Sequence, residues 1–165
     1  MKEQQAEYAK KINGKKVAVI GIGVSNTPLI DFLLSCGANV MACDRKASGS
    51  LGAVEDALRK KGVELHLGDT YLDNLDADVI FKTPGMRPDV PQLVKARERG
   101  AQITSEMEVF FDLCPCKIIA VTGSDGKTTT TTLIERILTE AGYRCHLGGN
   151  IGTPLIGKLE EIQKE

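Results

Sequence analysis

The chain has 165 residues, 42% of them hydrophobic, with no tryptophan and a formal net charge of −1. That length suits one domain or one and a fraction, with enough apolar content for a packed core. The near-zero charge excludes a global pull toward nucleic acid or anionic membrane, no apolar run approaches the roughly 18 residues of a membrane span, and the N-terminal "MKEQQAEYAKKING" reads as polar and helical, so no signal peptide is expected.

In chain order, "KKVAVIG" (15–21) predicts a buried strand and "PLIDFLLSCG" (28–37) a helix closed by glycine. "NVMACD" (39–44) predicts a second strand and "LGAVEDALRKKG" (51–62) an amphipathic helix. Strands are expected at 63–68, 77–85 and 101–105, with a helix at 89–100 between the last two. This alternation predicts a parallel sheet covered on both faces, a Rossmann-like α/β domain over residues 1–105.

A second unit is expected over 106–165. It reads as a helix (106–113), a strand (117–123), a helix (127–142), a strand (143–149) and a final segment (153–165) that starts helical and ends in charge. Leu133, Ile134, Ile137, Leu138 and Ala141 share one face of its long helix. Two strands cannot bury both sheet faces, so the chain is expected to stop inside a P-loop α/β domain. Its open sheet edge would invite self-association.

Five cysteines, Cys36, Cys43, Cys114, Cys116 and Cys145, have irregular spacing. Cys114-Pro-Cys116 is C-x-C, without the spacing of a redox or zinc C-x-x-C site. They read as small buried hydrophobes in a reduced, cytoplasmic protein. His66 and His146 lie in strand-like runs with no metal-ligand spacing.

Two glycine turns carry the chemistry. "VTGSDGKTTTTTLI" (121–134) places Gly123-x-x-Gly126-Lys127-Thr128 between a strand and a helix. A helix start offers unpaired N–H groups and a positive dipole end to an anion, and the glycines let the backbone curl around it. Lys127 would meet β/γ-phosphates and the Thr128 hydroxyl a Mg²⁺ ion. The loop is shorter than G-x-x-x-x-G-K-[ST], because Val121 stands where that pattern has its first glycine. The threonine run disfavours helix by propensity; its later members are expected to pack on the sheet or bond back to carbonyls one turn earlier. The other turn, "GIGVSN" (21–26), follows the first strand, but Asn26 replaces the third glycine of a dinucleotide fingerprint and implies a looser helix–strand approach. Asp44 ends the second strand, 23 residues after Gly21, where an acid meets a ribose or base. That turn reads either as a diphosphate site, NAD being one candidate, or as a plain βα turn.

Together "VIGIGVSN" (19–26), "CDR" (43–45), "TPG" (83–85), "SEMEVFF" (105–111), "AVTGSDGKTTTTTLI" (120–134) and "GGNIGTPL" (148–155) resemble the Mur ligase family, the ATP-dependent amino-acid ligases of peptidoglycan synthesis. The resemblance implies that Val24, Ser25 and Asn26 cradle the diphosphate of a UDP-sugar through backbone N–H groups. It places Asp44 and Arg45 by the uracil, and Gly85 and Asn150 at the substrate's phosphate region. It assigns ATP to Gly123, Ser124, Asp125, Gly126, Lys127, Thr128 and Thr129, with Lys127 and Thr128 catalytic and Mg²⁺ held through ATP at Thr128.

The implied small-molecule substrates are UDP-N-acetylmuramoyl-L-alanine and D-glutamate: ATP phosphorylates the carboxylate and the amine attacks the acyl phosphate. A monomeric parent is implied. Asp125, where the family often has Asn, adds a negative charge beside the phosphates. The family's later metal-binding Glu and His, carbamylated lysine and amino-acid-binding domain would lie beyond Glu165. The chain alone is therefore expected to bind the UDP-substrate, to bind ATP poorly and not to ligate. Two other readings stand beside this one: a nucleotide-binding or regulatory module without catalysis, and a fragment of an NAD-dependent oxidoreductase.

Overall fold

The structure, a computed structural model, describes residues 3–23, 26–149 and 154–162. Its elements are α1 (Glu3–Ile12), β1 (Lys16–Ile20), α2 (Asn26–Ser35), β2 (Asn39–Asp44), α3 (Ala53–Lys60), β3 (Glu64–Leu67), β4 (Val79–Phe81), α4 (Pro91–Glu98), β5 (Gln102–Thr104), α5 (Glu106–Leu113) and α6 (Lys127–Glu140), with a 3₁₀ turn at Ile156–Lys158.

The strands form one five-stranded parallel sheet in the order β3-β2-β1-β4-β5. β1 is central, with Val17 paired to Val40 on one side and to Val79 on the other. Successive side chains of a strand point to opposite faces. Val17 and Val19 enter a cluster built from α2, α3, α5 and the 3₁₀ turn, whereas Ala18 and Ile20 enter a second cluster with Leu72, Leu75 and α4. All four are fully or almost fully buried, as a parallel sheet covered on both faces requires. The expected Rossmann-like arrangement is present.

Ser105 caps α5: its Oγ accepts the Glu108 N–H at 3.3 Å and donates to Glu108 Oε2 at 2.9 Å, and the Glu108 carboxylate also accepts the Ser105 backbone N–H, which closes a capping box. α5 and the 3₁₀ turn both belong to the larger cluster through Val109, Phe110, Leu113, Ile156, Leu159 and Ile162.

Two expected strands are absent from the described residues. Neither 117–123 nor 143–149 is a strand; both are irregular. A parallel strand is held only by neighbours that satisfy its N–H and C=O groups, and no described strand lies beside either segment. Ile118, Ile119 and Tyr143 are exposed instead. α6 forms where expected but buries no residue, and Leu133 and Ile137 on its apolar face are 54% and 67% exposed. Where a helix was expected from residue 153, the described residues 154–162 hold only the 3₁₀ turn, with Lys158 N–H on Leu155 O at 2.9 Å, and irregular turns around it; 153 and 163–165 lie outside the described residues.

Glu106, at the start of α5, reports on the seat of the 3₁₀ turn. Burial raises its carboxyl pKa, partly offset by the Ile156 N–H, and its Oε1 is buried without a partner. The fold therefore disfavours the charged form. That penalty is absent below the ordinary value of 4.5 and complete above the raised one. Glu106→Gln is expected to raise Tm at pH 7 and to lose that advantage as pH falls through the ordinary value, measured by thermal melts at both ends of the range.

Candidate functional site

The sheet order reverses at β1. The chain runs outward from β1 to β2 and β3, then returns to place β4 and β5 on the other side. Crevices outside the carboxyl ends of strands at such a reversal are where open α/β sheets take ligands. Two loops flank it here: the described residues 21–23 after β1 and 82–90 after β4.

They meet at Gly21. Its φ is +90°, and a Cβ built there would lie 2.5 Å from Thr83 Cγ2. Its N–H donates to Cys43 O at 2.7 Å, which continues the ladder one residue past β1. Only glycine meets both the left-handed backbone and the close approach without strain.

Polar side chains brace the bend. Asn26 Nδ2 donates to Ile20 O at 3.1 Å and to Gly21 O at 2.7 Å. Leu29, Ile30 and Leu33 in the helix behind Asn26 are fully buried. The N–H groups of Asn26 and Thr27 both donate to Gly23 O at 3.1 Å. Val24 and Ser25 lie outside the described residues. Asp44, at the end of β2, accepts the Ile22 N–H at 2.6 Å through Oδ2 and the Lys46 N–H at 2.9 Å through Oδ1. It thus ties the turn after β1 to the turn after β2, a role its spacing from Gly21 did not reveal. Arg45 beside it is exposed.

Gly85 is exposed in the turn after β4, with open space where a Cβ would point. Lys82 in the same loop donates from Nζ to Met86 O at 3.3 Å and helps, after the Ser105 hydroxyl, to hold the Glu108 carboxyl below its ordinary value. Sequence reasoning did not single out Lys82; its signal was only a cation at the end of a buried strand.

The second loop is independent of this crevice in its local geometry. Gly126 takes the left-handed conformation (φ 74°, ψ −5°) and caps α6, whose ladder begins with the Thr130 N–H on Gly126 O at 2.9 Å. The N–H groups of Lys127, Thr128 and Thr129 stand outside that ladder, as in any first helical turn. Lys127 Nζ folds back onto Gly123 O at 2.5 Å and Ser124 O at 2.9 Å. Gly123, Ser124, Asp125, Thr128 and Thr129 are exposed. Thr131 Oγ1 donates to Lys127 O at 2.7 Å, the back-bond expected of the threonine run. Glycines, a dipole end and one cation in this order suit a nucleotide's phosphates, and the exposed Thr128 hydroxyl suits their Mg²⁺ ion. Asn150 lies outside the described residues. His66 pairs with Glu64, Nε2 to Oε1 at 2.8 Å, and no group of three metal-ligating side chains occurs among the described residues. No helix of the described residues is long and apolar enough to cross a membrane.

Gly21→Ala is expected to destabilise the fold by about 1–3 kcal/mol in urea unfolding. Adding Thr83→Ser removes the methyl group that the new Cβ meets, so the double variant should recover the steric share and retain the loss due to φ.

Two family models match the chain: the Mur ligase MurD-like N-terminal domain over residues 15–105, and the Mur ligase middle domain over residues 121–163. Among curated relatives, UDP-N-acetylmuramoylalanine–D-glutamate ligase of Clostridium novyi is 55% identical over 100% of this chain and 36% of its own length. That of Acetivibrio thermocellus is 54% identical over 95% of this chain and 34% of its own. The chain thus spans about a third of the length of the relatives it matches. Among solved structures, UDP-N-acetylmuramate-alanine ligase of Thermotoga maritima aligns with a TM-score of 0.50 and 29% identity, covering 78% of this chain and 30% of that one. A murein peptide ligase of Psychrobacter arcticus, at 24% identity, shares the fold with a TM-score of 0.51 over 78% of this chain and 27% of its own. A sheet reversing at a glycine bend, followed by a Gly-Lys-Thr loop opening a helix, is therefore matched on both sides of α5, and the chain belongs to the Mur ligase family, on its MurD-like branch.

Proposed function

We propose that this chain forms the front part of a ligase that uses ATP to join D-glutamate to UDP-N-acetylmuramoyl-L-alanine in peptidoglycan synthesis, and that by itself it binds the UDP-substrate without ligating. The observation that carries the reading is the closure of the bend after β1 onto the turn after β4 at the sheet's point of reversal, with Gly21 against Thr83. The names of the curated relatives give the substrate class. In this reading residues 1–105 hold the UDP end and residues 106–165 begin the ATP-binding unit, although α5 and the 3₁₀ turn pack on the first unit's core.

The roles divide by chemistry. Val24, Ser25 and Asn26 surround the diphosphate. The Asn26 side chain already holds two carbonyls, so it supports the shape of the bend. Asp44 acts through the two turns it ties, which leaves Arg45 as the cation on the uracil rim. Gly85 and Asn150 border the substrate's phosphate region. Gly123 to Thr129 receive the ATP phosphates, Lys127 exchanging carbonyl oxygens for phosphate oxygens, with Thr128 toward Mg²⁺. ATP supplies the phosphoryl group that activates the substrate carboxylate; the protein's part is positioning and charge stabilisation. Weak nucleotide binding by this chain alone is expected, since the loop is exposed around a half-buried Lys127 and has no further cation among its own residues.

Calorimetric titration with UDP-N-acetylmuramoyl-L-alanine is expected to give a single site that UDP competes for, with no NADH fluorescence enhancement. No heat and no competition would overturn the reading, and tight NADH binding would favour an oxidoreductase. In a protein of the relatives' full length, Lys127→Ala is expected to lower ligation kcat by about 10²–10³-fold while the affinity for UDP-substrate stays unchanged. The affinity arm separates loss of phosphate chemistry from loss of fold.

A further inference from the structure

Two thiols lie side by side where α5 hands the chain on toward the phosphate loop. Cys114 is the C-cap of α5, with extended backbone (φ −70°, ψ 121°) and its N–H on Phe110 O at 2.9 Å. Cys116 follows across Pro115. Their Sγ atoms are 3.6 Å apart, and Cys114 Sγ lies 3.8 Å from Cys116 O. Both are half-buried at the margin of the larger core cluster, and no disulfide joins them. Two other cysteines contrast with them. Cys36 and Cys43 are sealed in the core, and burial pushes both thiols up, Cys43 to about 12. A thiol held in that form is a poor nucleophile.

We propose that Cys114 and Cys116 form a reversible intrachain disulfide, which makes the cap of α5 a site of thiol–disulfide exchange with small disulfides of the glutathione type. Reach is satisfied by covalent geometry. Two consecutive trans peptides hold the Cα atoms within about 7.6 Å at full extension, against the roughly 4.4–6.8 Å that a disulfide spans. The sulfurs already face each other, so side-chain rotation closes most of the remaining gap. Pro115 fixes φ of the residue between the arms, which lowers the entropy lost on closure. The ring of about eleven atoms is tight, and a strained disulfide is readily reduced, as a reversible site needs.

The exchange balances without any further reactant. One thiolate attacks a sulfur of glutathione disulfide, forming a mixed disulfide and expelling one glutathione thiolate. The second protein thiolate attacks the protein sulfur of that mixed disulfide and expels the other. The two protons of the cysteine thiols end on the two glutathiones, so the protein loses two hydrogens and one glutathione disulfide becomes two glutathiones. Closure would stiffen the chain seven residues before Gly123.

The test equilibrates the folded chain across glutathione/glutathione disulfide ratios, quenches with acid, blocks remaining thiols with iodoacetamide in denaturant at mildly alkaline pH and digests with trypsin. The peptide covering residues 100–117 contains Cys114 and Cys116 and no other cysteine. Its unblocked form, lighter by two hydrogens than the reduced peptide, is expected to rise with the disulfide ratio and to vanish with dithiothreitol. Cys36 and Cys43 should stay fully blocked throughout. Cys114→Ser is expected to leave Cys116 carrying one glutathione instead of a ring. A doubly blocked peptide at every ratio, two glutathiones on one peptide, or a bridge from either residue to Cys145 would overturn the proposal.

Discussion

β1 is hydrogen-bonded along both edges, to β2 and to β4, and both its faces are covered. A strand so enclosed leaves no polar backbone group to water along its length and gives the chain a single way out, at its carboxyl end. The bend that follows must turn sharply between two neighbours whose own loops start at the same level. Gly21 solves that crowding with a left-handed backbone and a missing side chain, and Thr83 fills the vacated space. The position of every candidate group around the crevice derives from this enclosure.

The bend is braced from within. Asn26 clamps the last two carbonyls of the strand's exit, and Asp44 takes one N–H from each of two turns. A carboxylate that accepts two backbone N–H groups is a strong local tether, because charge-assisted hydrogen bonds are roughly twice as strong as neutral ones. Farther along the β2 exit, Glu55 repeats the device: it accepts from Ser48 Oγ at 2.9 Å, from Gly49 N–H at 2.7 Å and from Arg59 at 2.9 Å. Asp44, whose spacing suggested a ligand contact, and Glu55 thus both shape loops.

How far the sequence could be read depended on whether a segment has a neighbour to pair with among the described residues. β2 and α5 were legible to the residue, because apolar runs interrupted by polar and turn-forming residues carry their own limits. Strands were expected at 117–123 and 143–149 on equal apolar evidence and did not form, since an apolar run records the capacity to pair and not the presence of a neighbour. The glycine at 21 was legible as a tight turn. The use of Asn26 and Asp44 was not, since hydrogen bonds between a side chain and a distant backbone group leave no spacing rule behind. The C-x-C pair was dismissed for lacking the interval of known redox motifs, and only the 3.6 Å sulfur separation shows what the shorter interval permits.

Lys127 rests on the carbonyls of its own loop. The two carbonyl oxygens therefore stand where a guest's oxygens would, and the ammonium is not left bare. Any anion that settles there does so by trade: two oxygens of the main chain must be released to solvent as two incoming ones are gained. Net affinity then reflects the difference between the bonds to neutral carbonyls given up and the charge-assisted bonds to an anion gained.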